Sequence, residues 1–156
     1  LRTIPTTYNL SSFRDGTRSS APAARDAGSL KGLRVLLVED DEDARELLGA
    51  ILVQAGAEVH SEGSAAEAFE ALGTFCPQLL VSDIAMPGED GYSLIRRIRA
   101  LDSVGGQVPC IALTAFTRAE DRRQALAAGF TDHVGKPVDP VELVATLAHL
   151  AGRGQC

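Results

Sequence analysis

What most constrains this chain is a fivefold alternation of short apolar runs with segments of helical spacing. Arg34-Val35-Leu36-Leu37-Val38 is β-rich and almost wholly apolar, as a strand buried on both faces must be. It stops at Glu39-Asp40-Asp41. Glu42 to Gln54 then places Ala44, Leu47, Leu48, Ile51 and Leu52 at helical spacing, and Gly56 ends the helix. Glu58-Val59-His60 predicts a short second strand, and Ser64 a helix cap with Glu67 as its reciprocal capping-box partner. Leu79 to Ser82 reads as a third strand ending at Asp83, and Asp90 or Gly91 opens a third helix. Pro109 to Leu113 is a fourth strand ending at Thr114, followed by a helix from Arg118 to Ala128 that Gly129 closes. Thr131 to Gly135 is a shorter, more polar fifth strand ending at Lys136. Asp139 as cap and Pro140 at the first helical position start the last helix, through Leu150. Five β-α units in a row imply an α/β fold: a five-stranded parallel sheet, (βα)5 and doubly wound, with right-handed crossovers.

Ligands of such sheets bind outside the carboxyl ends of the strands, near the point where strand order reverses. The residues at those ends are Glu39 and Asp40, then Asp83, Thr114 and Lys136. Periodicity alone demands no charge there. Two like charges ~4 Å apart repel by about 4 kcal/mol at an effective dielectric of 20, so converging carboxylates need a proton or a cation. An all-oxygen donor set with few protein ligands suits Mg²⁺. A carboxylate held beside Mg²⁺ and a lysine is placed to attack phosphorus, giving an aspartyl phosphate.

Composition narrows the setting. Hydrophobic residues at 45% against 23% charged allow a buried core. A net charge of −6 makes nucleic acid a poor partner for this segment. No apolar run approaches the ~18 residues of a membrane span, and the first residues have no apolar leader segment. Three widely spaced cysteines argue against a disulfide framework and fit a cytoplasmic setting. The first thirty residues, with nine Ser/Thr and two prolines, read as a linker or the end of a preceding domain. The expected folded domain is 31–151, with 152–156 a tail.

The motifs at the strand ends resemble a known family. Val38-Glu39-Asp40-Asp41, Val81-Ser82-Asp83-Ile84-Ala85-Met86-Pro87-Gly88-Glu89-Asp90-Gly91, Leu113-Thr114-Ala115 and Val134-Gly135-Lys136-Pro137 are similar, in order and spacing, to the response-regulator receiver domain of two-component signalling. The resemblance covers roughly Leu33 to Leu150. It implies a flavodoxin-like receiver fold, with Asp83 as phosphoacceptor from a phosphohistidine of a histidine kinase or histidine phosphotransfer protein. It also implies Mg²⁺ held by Asp40, Asp83 and the backbone carbonyl of Ala85, with Glu39 acting mainly through a bound water. Thr114, Ala115 and Lys136 would contact the phosphoryl oxygens. Lys136-Pro137 looks like the family's cis peptide.

One position departs from the common pattern. The family's switch residue on strand five is usually Phe or Tyr, and here it is His133. Imidazole can pair with Thr114 but also ionises near neutral pH; an active-to-inactive equilibrium unchanged from about pH 5.5 to 8 would count against a pH-sensitive switch. Ala85 and Phe116 match positions that modulate phosphoryl lifetime in the family. The implied output is a remodelled surface of helix four, strand five and helix five, which also offers a route to a homodimer. The expected molecule is a signalling switch rather than a turnover enzyme, in the arrangement of a C-terminal receiver of a hybrid histidine kinase. A stand-alone regulator with an N-terminal extension is the alternative. A Mg²⁺-dependent phosphohydrolase of the haloacid-dehalogenase type would want a second aspartate where Ala85 stands.

Overall fold

The computed structural model describes residues 29–86, 88–115 and 119–151. The expectations placed on Pro87, Phe116, Arg118, the first twenty-eight residues and the last five therefore lie outside the described residues.

Strands β1 (Arg34–Val38), β2 (Glu58–Glu62), β3 (Leu79–Asp83), β4 (Cys110–Thr114) and β5 (Asp132–Gly135) alternate with five helices. These are α1 (Glu42–Gln54), α2 (Ala65–Phe75), α3 (Gly91–Arg99), α4 (Ala119–Ala128) and α5 (Pro140–Leu150). Every ladder is parallel and the order is β2-β1-β3-β4-β5. The expected doubly wound (βα)5 sheet is the observed one.

Both faces are covered because successive strand residues point to opposite sides. Val35 and Leu37 of β1 join Leu48 and Leu52 of α1 and Leu143 and Leu147 of α5 in one core. Leu36 and Val38, their neighbours in sequence, join Ala68 of α2 with Leu94 and Ile98 of α3 in the other. The sheet is thus sandwiched, and its carboxyl edge opens where the order reverses between β1 and β3. Leu30, at the edge of the stretch read as linker, is fully buried in the first core, and its N–H donates to the Ala55 carbonyl at 2.8 Å.

Helix starts follow the capping residues. Asp41 accepts from the N–H groups of Asp43 and Ala44, Asp90 from Ser93, and Asp139 from Val141. At α2 the Ser64 hydroxyl accepts from the Glu67 N–H at 3.2 Å and donates to the Glu67 carboxylate at 3.1 Å. Strand β2 runs two residues past its predicted end because β1 goes on pairing with it, Leu37 with Ser61 and Val38 with Glu62. A 3₁₀ turn at Val104–Gln107 has no signal in the sequence reading. Arg99 secures it from α3, donating to the carbonyls of Gly106, Val108 and Gly129. Cys110 is a free, fully buried thiol whose pKa burial pushes up to about 12. Cys76 is disulfide-bonded, which the widely spaced cysteines did not suggest.

Candidate functional site

Four strand ends meet at the carboxyl edge. After β1 the chain passes Glu39 and Asp40 before Asp41 caps α1, and the Glu39 N–H donates to the Glu62 carbonyl at 3.1 Å. Glu39 is 2% exposed. Its Oε2 accepts from the Asp41 N–H at 3.2 Å, while its Oε1 is buried with no hydrogen-bond partner.

Asp83 is the last residue of β3 and is 4% exposed. Beyond it the Ile84 N–H donates to the Leu113 carbonyl at 3.2 Å, and the Gly91 N–H to the Ile84 carbonyl at 2.9 Å. A Cβ on Gly91 would lie 2.6 Å from the Asp83 carbonyl oxygen, so only glycine lets the start of α3 press against this turn.

Thr114 ends β4 and is buried, and its carbonyl accepts from the Lys136 N–H at 2.8 Å. Lys136 follows β5 and reaches back across the sheet edge. Its Nζ lies 3.0 Å from Asp83 Oδ1 and 3.7 Å from Glu39 Oε1. The Lys136-Pro137 peptide is cis, as the resemblance implied.

The electrostatics follow from this packing. Burial pushes the Glu39 carboxyl up to about 7 despite its bond from the Asp41 N–H, and the neighbouring Asp83 charge adds to the shift. Burial works against the Lys136 ammonium too, yet its bond and charge contact with Asp83, then with Glu39, hold its pKa above the ordinary lysine value. Carboxylate oxygens of Glu39, Asp40 and Asp83 all lie within 4.8 Å of one another, Asp40 being exposed and the other two buried. The structure therefore brings together the acids and the lysine on which the sequence reading centred.

A cleft of about 260 Å³ opens over Asp83, with Ala85, Thr114, Ala115 and Lys136 on its rim. Tyr92 of α3 and Asp121 and Gln124 of α4 complete its wall. Sequence reasoning missed these three, because polar residues on helices carry no signal of which neighbour they face. It also missed Arg45, whose Nη1 donates to the Glu39 carbonyl at 2.8 Å. His133 sits opposite Ala112 in the β4–β5 register, two pairs short of Thr114 and Gly135. Its Nδ1 is buried without a hydrogen-bond partner and lies 3.6 Å from Asp132 Oδ1.

Residues 35–148 match the family described as the response regulator receiver domain. The chain belongs to the response regulator receiver family. As a receiver it is a phosphoacceptor module of two-component signalling. Among curated relatives, a 14.6 kDa protein of Leptolyngbya boryana is 48% identical over 116 residues, 74% of this chain and 88% of that one. The transcriptional regulatory protein GltR of Pseudomonas aeruginosa is 39% identical over 127 residues, 81% of this chain. The receiver spans only 52% of GltR, and 8% of the hybrid signal transduction histidine kinase D of Dictyostelium discoideum, to which it is 34% identical.

Among solved structures, the receiver domain of a sensor histidine kinase from Pseudomonas aeruginosa, with a magnesium ion in its active-site cleft, is 34% identical. It superposes with a TM-score of 0.71 over 78% of this receiver and 98% of that chain. The chemotaxis response regulator CheY4 of Vibrio cholerae is 28% identical, with a TM-score of 0.71 over 76% and 98%. No helix among the described residues is long and apolar enough to cross a membrane.

Proposed function

We propose that Asp83 accepts a phosphoryl group from the phosphohistidine of a histidine kinase or histidine phosphotransfer protein. The observation that carries this is a buried carboxylate, paired at 3.0 Å with Lys136, at the base of an open cleft beside two further carboxylates. Asp83 Oδ attacks phosphorus, the P–O bond forms as the P–N bond to the donor imidazole breaks, and the donor, already protonated at its other ring nitrogen, leaves with the electron pair as a neutral histidine. Lys136 holds charge on the transferring group, and Thr114 and Ala115 line the same cleft, where a hydroxyl and a backbone N–H would serve as donors to its oxygens.

A hard divalent cation fits the residues present. Glu39 Oε1 is buried without a hydrogen-bond partner, and the donors around it are all oxygen, the chemistry that favours Mg²⁺ over softer ions. Asp40, Asp83 and the Ala85 carbonyl would hold it, with Glu39 acting mainly through a water. When bound, it neutralises charge on the acids and on the incoming phosphoryl oxygens. The resulting aspartyl phosphate biases the α4-β5-α5 surface, making the protein a switch that takes one group rather than a turnover enzyme.

For the parent chain, a receiver at the C-terminal end of a hybrid histidine kinase is supported by the likeness to the Pseudomonas kinase receiver and the Dictyostelium hybrid kinase. The stand-alone reading draws on the 14.6 kDa relative, of which the match covers 88%. The size of the native polypeptide separates the two.

The site is tested by incubating the protein with Mg²⁺ and acetyl phosphate and recording intact mass beside Asp83→Asn. One added phosphoryl group, absent without metal and absent in the variant, is expected. No gain with acetyl phosphate and no beryllofluoride binding, in a folded protein, would remove Asp83 as phosphoacceptor.

A further inference from the structure

The acidic pair of this site occupies the few residues in which the chain turns from β1 into α1, where the backbone has little regular bonding of its own. Arg45, one turn into α1, supplies it. Its Nη1 donates to the Glu39 carbonyl at 2.8 Å and lies 3.5 Å from the Asp40 carbonyl. Its own N–H is fixed on the Asp41 carbonyl at 2.8 Å. We propose that Arg45 is a positioning residue for Glu39 and Asp40, and through them for divalent-cation binding at Asp83. The proposal rests on the reading of the site given above.

The surrounding bonds show why one guanidinium matters here. The Glu39 N–H is held by the Glu62 carbonyl, and the Glu39 carboxylate by the Asp41 N–H. With its carbonyl on Arg45, the residue is fixed at three points and cannot swing its carboxylate out of the cluster. A guanidinium presents several donors in one plane, so a single side chain can serve two successive carbonyls, which a lysine point charge serves poorly. It meets carbonyl oxygens and leaves the carboxylates turned toward Asp83, within 4.8 Å of one another.

The turn between β2 and α2 is shaped around the same group. A Cβ on Gly63 would lie 3.0 Å from Arg45 Nη1 and 3.7 Å from its Cζ. Glycine there leaves the guanidinium its place, and a branched side chain would displace it without removing its charge.

The test is Mg²⁺ titration of the whole chain, followed by backbone amide NMR shifts, for wild type, Arg45→Met, Arg45→Lys, Gly63→Val and the double variant Arg45→Met/Gly63→Val. Arg45→Met is expected to weaken Mg²⁺ binding about tenfold, the scale on which outer partners of metal ligands act. Amide shifts outside the β1–α1 and β2–α2 turns should stay in place. Arg45→Lys should recover part of the loss. Gly63→Val should weaken binding in the wild-type background and add nothing to Arg45→Met, since both act through one group.

Mg²⁺ affinity of Arg45→Met within about twofold of wild type, or an undiminished Gly63→Val effect in that background, would overturn the proposal while the site reading stands. If Arg45→Met does not fold, unchanged affinity in both Arg45→Lys and Gly63→Val overturns it equally. A folded wild-type protein that binds no Mg²⁺ overturns the site reading, and this inference with it.

Discussion

Glu39 and Lys136 carry charges that the packing treats in opposite ways. The Glu39 carboxyl, pushed up to about 7 by burial and the nearby Asp83 charge, binds a proton in the folded protein over a range where the unfolded chain, near 4.5, has lost it. The contribution of Glu39 to stability is therefore present below pH 4.5 and lost as pH rises through about 7. The metal-free protein should grow less stable over that interval, as urea unfolding at several pH values would show. Cation binding needs the ionised form, so apparent Mg²⁺ affinity should be about tenfold weaker at pH 6 than at pH 8. Glu39→Gln should flatten that dependence. Lys136→Met should leave two buried carboxylates without their cation and lower stability by about 1–3 kcal/mol, less than a fully buried pair because the lysine is a third exposed.

At the level of elements, the turn after β3 depends on one missing side chain. Gly91→Ala should drive a Cβ into the Asp83 backbone and cost about 1–3 kcal/mol, read from thermal unfolding, with slower phosphorylation as Asp83 shifts. Most elements were legible in the sequence, since short apolar runs and the caps at Ser64 and Asp139 leave little choice of start or end. The acids, Thr114 and Lys136 stood out for the same reason: charge or hydroxyl directly after an apolar run needs a purpose. What escaped depended on contacts between distant segments. The 3₁₀ turn at Val104–Gln107 is held by Arg99 from another element, and the extra length of β2 is imposed by β1. Arg45 reads in sequence as an ordinary helical surface residue until its guanidinium is seen on the Glu39 carbonyl.

Across the whole molecule, two cores share one sheet, with β1, β3 and β4 contributing to both, so neither face can fail alone. Leu36→Ala on one side and Leu37→Ala on the other, both fully buried, should each cost about 2–5 kcal/mol in denaturant unfolding. Cation binding should act on the molecule as a unit: at free Mg²⁺ one hundred times its Kd, stability should rise by about 2.7 kcal/mol, and Asp40→Asn should reduce that gain.

The strand order also distributes stiffness. Asp83 stands on β3, braced by a neighbour on either side, whereas Lys136 follows β5, which is laced to β4 alone. The anionic half of the pair is mounted on an anvil and the cationic half on a cantilever. If the charge at Asp83 grows on phosphorylation as proposed, the side carried by the edge strand β5 is where displacement is expected.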